Sequence, residues 1–268
     1  MNNEICPVYI INLKEKNDFL IRTLNELRKT NLFDFISIKD AVDKEKAKDE
    51  HFKFITEKAY ENINVKLNSL NVLPTWGSVG CAMSHLECWK DMINKNFNYA
   101  IICEDDIKIN NVNKLKYCYY NSLKKIKSTI PTFISFCSEV ETSYDTNDIQ
   151  SIFSSFTGTS CYMINLQAVI SLVSLFPITK QIDIEIGGLN KLSKFFYKYS
   201  GVNNYNHNSS VQYYFLDFEN FEKIFEQYLP YDILKIIYNY LPKKSDFNNN
   251  YGGYYGNYDN SDYYITYN

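Results

Sequence analysis

Residues 6–12, Cys-Pro-Val-Tyr-Ile-Ile-Asn, form a β-branched apolar run without polar alternation, which predicts a strand buried on both faces. Phe19, Leu20, Leu24 and Leu27 then recur at helical spacing with charge opposite, and residues 33–38 return to a strand pattern. Strand, helix, strand is the opening of a parallel α/β sheet. Residues 43–67 are charge-rich and mostly helical in pattern, and Leu73-Pro-Thr-Trp-Gly77 breaks them. From Ser78, read as an N-cap, the residues Val79, Ala82, Met83, Leu86, Trp89 and Ile93 mark an amphipathic helix. Residues 99–103 form another buried-strand run, which ends abruptly in Glu104-Asp105-Asp106.

Further on, the pattern predicts a helix over 112–127, strands over 132–136 and 159–165, and a helix over 166–175. Residues 138–155 are polar and irregular, a surface loop or hairpin. A second helix is predicted over 182–199, and 201–210 is an Asn-rich loop. Residues 229–241 form an amphipathic helix with Pro230 in its first turn, where the missing N–H costs nothing. The stretch 243–268 is almost all Asn, Gly, Tyr, Asp and Ser and predicts a disordered tail behind one α/β domain over 1–242.

Charge removes several function classes. With 28 Lys+Arg against 31 Asp+Glu, the 268-residue chain lacks the basic excess of a general nucleic-acid binder. It carries no polybasic block for an anionic membrane, and its apolar runs fall short of the roughly 20 residues a transmembrane helix needs. The first residues lack a basic region and an apolar signal core, so a cytoplasmic protein is expected. Seven dispersed cysteines without a CxxC suggest neither a disulfide framework nor a zinc ribbon, and they read as small buried residues. Three histidines far apart in sequence point any metal toward oxygen ligands. The 24 tyrosines carry little functional weight, since many lie in the tail.

Glu104-Asp105-Asp106 is the sharpest chemical feature. Ligands of open α/β sheets bind beyond the carboxyl ends of the strands. Three adjacent carboxylates there repel one another, and a divalent cation relieves the repulsion. Hard oxygen ligands suit Mn²⁺ or Mg²⁺, which stabilise a diphosphate leaving group. Upstream, Trp76-Gly-Ser-Val-Gly-Cys-Ala-Met-Ser-His85 reads as a glycine-containing turn entering a helix.

Taken together, Tyr9-Ile-Ile-Asn-Leu13, Asp40-Ala-Val-Asp43, the segment from Trp76 to His85 with Trp89, and Ala100-Ile-Ile-Cys-Glu-Asp-Asp-Ile107 resemble glycosyltransferase family 25. This is the family of lipopolysaccharide galactosyltransferases and collagen hydroxylysine glycosyltransferases. Gly158-Thr-Ser-Cys-Tyr-Met-Ile164 and Gln181-Ile-Asp-Ile184 are similar to its later segments, so the likeness runs over about residues 5–210. It implies a GT-A-like nucleotide-sugar-binding fold with a mixed, mostly parallel central sheet. It also implies a UDP-hexose donor (galactose or glucose), a glycan or protein acceptor, and Mn²⁺ or Mg²⁺.

Carried over residue by residue, the resemblance places Asn12, Asp43, Trp76, Gly77, Gly80, Ser84, His85, Glu104 and Asp105 at the donor. Glu104 and Asp106, with His207, would hold the metal. Asp183 is the first candidate for the base that takes the acceptor proton, and Glu185 the second. One departure stands out: Leu13 is followed by Lys14-Glu-Lys-Asn-Asp18, without the basic cluster common after the family's first strand. Residues 229–241 are similar to the first helix of an F-box, which implies a protein partner. The alternative function is accordingly a non-catalytic glycosyltransferase-like adaptor.

Overall fold

The computed structural model describes residues 6–65, 72–137, 149–151 and 158–204. His207, the F-box-like helix, the tail and most of the 138–155 loop lie outside the described residues. In chain order the elements are β1 (Val8–Asn12), α1 (Asn17–Arg28), β2 (Ile36–Asp40), α2 (Lys44–Glu50), α3 (Glu57–Asn64), α4 (Trp76–Asn94) and β3 (Tyr99–Glu104). There follow β4 (Ile107–Ile109), α5 (Val112–Ile126), β5 (Thr132–Ser135), β6 (Ile149–Ser151), β7 (Cys161–Asn165), α6 (Leu166–Val173), α7 (Ile182–Gly188), β8 (Ser193–Tyr197) and β9 (Val202–Asn204).

Seven strands make one sheet in the order β2-β1-β3-β7-β5-β8-β6. Strands β2, β1, β3, β5 and β8 run one way, and β7 and β6 oppose them. The sheet is therefore mixed and mostly parallel, as expected. Both of its faces are covered, and the pleat divides the strand residues between two apolar cores. Tyr9, Ile11, Ala100, Ile102, Tyr162, Ile164, Phe133 and Phe196 point toward the core on the α4 and α6 side. Val8, Ile10, Ile101, Cys103, Cys161, Met163, Ile134 and Tyr197 join the core shared with Leu27 of α1 and Leu115 of α5. Continuous apolar runs are the sequence signature of strands buried on both sides.

Beyond shifts of a few residues at element ends, such as β2 at Ile36–Asp40 rather than 33–38, three differences from the sequence expectation bear on the fold. The long helix starts two residues before Ser78, because Thr75 is the N-cap and its Oγ1 accepts from Ser78 N at 3.1 Å. Trp76, Gly77 and Gly80 thus lie within α4 rather than in a turn ahead of it. Residues 182–199 are not one helix: α7 stops at the Gly187-Gly188 pair, and Ser193–Tyr197 pairs with β5 as a strand. Paired glycines disfavour helix propagation, and the aromatic run after them suits a pleated surface. Within the Asn-rich stretch, Val202–Asn204 forms a two-stranded ribbon with β4. Gly201 permits it with a φ of +82°, where an added Cβ would lie 2.5 Å from Asn111 O.

Gly80 sets the position of α4. An added Cβ would stand 2.3 Å from the carbonyl oxygen of Val42, in the segment just after β2. One turn later, Ser84 Oγ accepts from Val42 N at 2.8 Å and donates to Gly80 O at 2.7 Å. At the far end, Asp91 accepts from Tyr9 Oη at 2.9 Å and pairs with Lys39 at 3.0 Å and Lys95 at 2.8 Å. Gly80→Ala forces backbone apart and is expected to cost about 1–3 kcal/mol, the range for overpacking. The measurement is the thermal unfolding midpoint, and an unchanged midpoint would remove the close approach as a determinant.

Candidate active site at the sheet switch point

From β1 the chain crosses by α1 to β2 on one side, and from β2 it returns through α2, α3 and α4 to β3 on the other. The strand order therefore reverses between β1 and β3, and the crevice at their carboxyl ends is where such sheets take ligands. Ile11 pairs with Glu104 in that register, so Asn12 and the acidic triplet share this edge. The buried Asn12 side-chain oxygen has no hydrogen-bond partner.

Glu104 closes β3, and Asp105 and Asp106 form the turn that follows it. Glu104 shares the parity of Ala100 and Ile102 and faces α4. There its Oε1 lies 3.6 Å from His85 Nε2. His85 is fully buried, and Nε2 has no hydrogen-bond partner among the described residues. Its Nδ1 is 2.9 Å from the Tyr162 hydroxyl, which also accepts from Trp89 Nε1 at 3.0 Å. Tyr162 is held in turn by stacking on Phe133, with ring centroids 4.6 Å apart. Cys81, one turn before His85, completes a group whose ligand atoms all lie within 4.8 Å of one another. Burial, then the charges of Glu104, Asp183 and Asp106, push the Cys81 thiol up and keep it protonated.

The backbone of the turn is held from the α1 side. Thr23 Oγ1 from α1 donates to Asp105 O at 2.8 Å, and Glu26 Oε2 accepts from Ile109 N at 3.0 Å, so α1 clamps the turn and β4 together. Burial and the Glu104 charge raise the Asp105 carboxyl to about 6, against the pull of Lys16 and the Leu13 N–H. The same burial, with Glu104 and Asp105 as neighbours, raises Asp106 as well. Asp183, at the start of α7, accepts from Gly158 N at 3.2 Å and Ile184 N at 2.8 Å. Burial raises its carboxyl, and the Glu104 charge adds to the effect. Lys194 from β8 secures the other end of α7 by donating to Gly187 O and to Leu189 O.

The remaining sequence candidates have other surroundings. Glu185 Oε1 accepts from Thr179 N and Lys180 N, both at 2.9 Å, and fastens the loop before α7. Asp43 is the exposed N-cap of α2, accepting from Lys46 N at 2.8 Å. Ser84 is buried, with its hydroxyl committed to Val42 and Gly80. Trp76 packs on His51 and Tyr60, at ring distances of 5.1 and 6.0 Å. Cys81, Tyr162 and Lys16 were not singled out as site residues from the sequence. The four-residue step from Cys81 to His85 was the available signal for the first of them.

A divalent cation fits this donor set. Glu104 and Asp106 supply hard oxygen atoms, and the buried Asp105 Oδ2 has no hydrogen-bond partner. Without a cation, the raised Asp105 carboxyl binds a proton in the folded chain that the unfolded chain has already released. Its contribution is thus present below the ordinary carboxylate range near 4 and is lost as pH rises through about 6. In chelator-treated protein, Asp105→Asn is expected to gain stability relative to wild type across that window and to hold a constant difference above it. Urea unfolding at a series of pH values measures this, and a pH-independent difference would count against the buried carboxylate.

Among the described residues, no helix is long and apolar enough to cross a membrane. A search of curated proteins finds no match. Among solved structures the chain is similar to a glycosyltransferase involved in the glycosylation of the major capsid of PBCV-1, with 10% identity and a TM-score of 0.33. That match covers 64% of this chain and 66% of the other, so the chain spans just under two thirds of its length. It is also similar to mannose-1-phosphate geranyltransferase from Thermus thermophilus, with 7% identity, a TM-score of 0.35 and coverage of 72% and 73%. The family model of glycosyltransferase family 25, described as an LPS biosynthesis protein, matches residues 5–186, more than half of the chain and every element from β1 into α7. With the acidic triplet and the helix bearing Cys81 and His85 both inside that match, the chain belongs to glycosyltransferase family 25.

Proposed function

We propose that the protein transfers a hexose, galactose or glucose, from a UDP-sugar to a hydroxyl group of a glycan or a hydroxylysine-containing protein, with Mn²⁺ or Mg²⁺ at the acidic triplet. The observation that carries this reading is the position of Glu104, Asp105 and Asp106 at the strand-order reversal, in the crevice where α/β sheets receive nucleotides. Glu104 and Asp106 would hold the cation, whose chemistry is to neutralise the diphosphate as it departs.

The chain's own groups account for the other steps. Asn12, at the end of β1, offers a buried amide to the donor, and Lys16 brings a positive charge to the same edge. His85, held by the Tyr162 hydroxyl, lines the crevice beside the Glu104 carboxylate. Asp183 serves as the base. Its raised carboxyl, once ionised, is a stronger proton acceptor than an exposed one, and its two backbone N–H bonds hold it in place. The acceptor oxygen gives its proton to Asp183 as it bonds to the anomeric carbon, and UDP leaves with the electron pair of the broken C–O bond.

The expected result is UDP release from a UDP-hexose that depends on added Mn²⁺ or Mg²⁺ and falls by at least a hundredfold in Asp106→Asn, with the circular dichroism of the fold retained. A coupled assay for UDP measures it, and normal turnover by that variant would remove the triplet from the mechanism.

A further inference from the structure

The group on the α4 side of the crevice differs in chemistry from the oxygen ligands beside it. Cys81 and His85 are four residues apart on one helix face, and Glu104 meets them from the end of β3. We infer that Cys81, His85 and Glu104 form a binding site for a thiophilic divalent cation, Zn²⁺ above all, which shares Glu104 with the hard-cation site.

Geometry supports the assignment. At tetrahedral angles, ligand bonds of about 2.0–2.3 Å separate neighbouring donor atoms by about 3.3–3.8 Å. His85 Nε2 and Glu104 Oε1 are 3.6 Å apart, beyond a hydrogen bond yet matched to two ligands of one ion. Nε2 is a fully buried nitrogen without a hydrogen-bond partner, directed at a carboxylate. Opposite it, Nδ1 is fixed by the Tyr162 hydroxyl, the outer contact that orients metal-binding imidazoles. In the tautomer with the proton on Nδ1, that proton goes to the Tyr162 hydroxyl and Nε2 is left to ligate.

Ligand softness separates the two sites. Thiolate and imidazole favour Zn²⁺, whereas carboxylates alone favour Mn²⁺ or Mg²⁺. Because the Cys81 thiol is protonated in the metal-free protein, loading releases its proton to solvent. Zn²⁺ bound there draws Glu104 away from the diphosphate-binding cation. This antagonism rests on the proposed transferase reading, whereas the binding site itself does not.

Co²⁺, a spectroscopic stand-in for Zn²⁺, provides the test on the full chain. One equivalent is expected to produce a near-ultraviolet thiolate-to-metal absorption band, displaced by one equivalent of Zn²⁺ and absent from Cys81→Ser. In unmodified protein, Zn²⁺ is also expected to slow alkylation of Cys81 at least tenfold, read by peptide mapping, which keeps the test open should the variant fail to fold. No such band in the wild type, an undiminished band in a folded Cys81→Ser, or alkylation of Cys81 unaffected by Zn²⁺ would each overturn the site. Mn²⁺-supported UDP release in the absence of Co²⁺ and Zn²⁺ judges the transferase reading separately.

Discussion

The site depends on how closely α4 approaches the backbone after β2. Gly80 lets the helix axis come in until only a hydrogen atom fits between Cα and the Val42 carbonyl, and Ser84 closes the contact by accepting from Val42 N while donating back to Gly80 O within the helix. Apolar packing joins the rest of the helix to the sheet, with polar contacts from Asp91, Trp89 and His85. The Gly80 contact and those of Asp91 at the far end set the register of α4 against the sheet. His85 is therefore delivered to the end of β3, and the Trp89–Tyr162–His85 chain turns that placement into a fixed ring orientation.

The second organising element is the clamp from α1. Thr23 and Glu26 are polar residues buried in an otherwise apolar interface, and each satisfies backbone groups of the β3–β4 connection. A turn with three carboxylates would otherwise spread into solvent to relieve repulsion. Held between α1 and α4, it keeps part of its charge under cover, which is why burial leads among the causes that raise Asp105 and Asp106. The protein stores unfavourable electrostatics at the place where the proposed chemistry needs a cation.

Much of this was legible from residue order. Strands buried on both faces announce themselves as unbroken apolar runs, and β1, β3 and β7 are such runs. The triplet was visible because charge interrupts one of them. The helix expected over 182–199 failed because Ile182, Ile186 and the following aromatics mimic a helical period, while the Gly187-Gly188 pair and a sheet vacancy beside β5 decide otherwise. The glycines of α4 were misplaced for a related reason: a glycine needed for close packing inside a helix looks the same in sequence as one needed for a turn. Tyr162 was hidden most completely, since nothing local tells a stacked core tyrosine from one that steers a histidine across 77 residues.

Strand parity decides what the last residue of β3 meets. Glu104 stands on the face shared with Ala100 and Ile102 and so meets the helix with the histidine, whereas Asp105 and Asp106 lie past the strand, in a turn that Thr23 holds by its backbone. Position within the motif thus sets the partner, and exchanging the order of these residues is not equivalent to exchanging two similar acids. Inserting or losing a single residue in β3 would turn the strand's last carboxylate to the other face while leaving the composition almost untouched. Substitution is then a gentler route to divergence for such a site than a change in length, and drift in the identity of that acid is tolerable where drift in its parity is not.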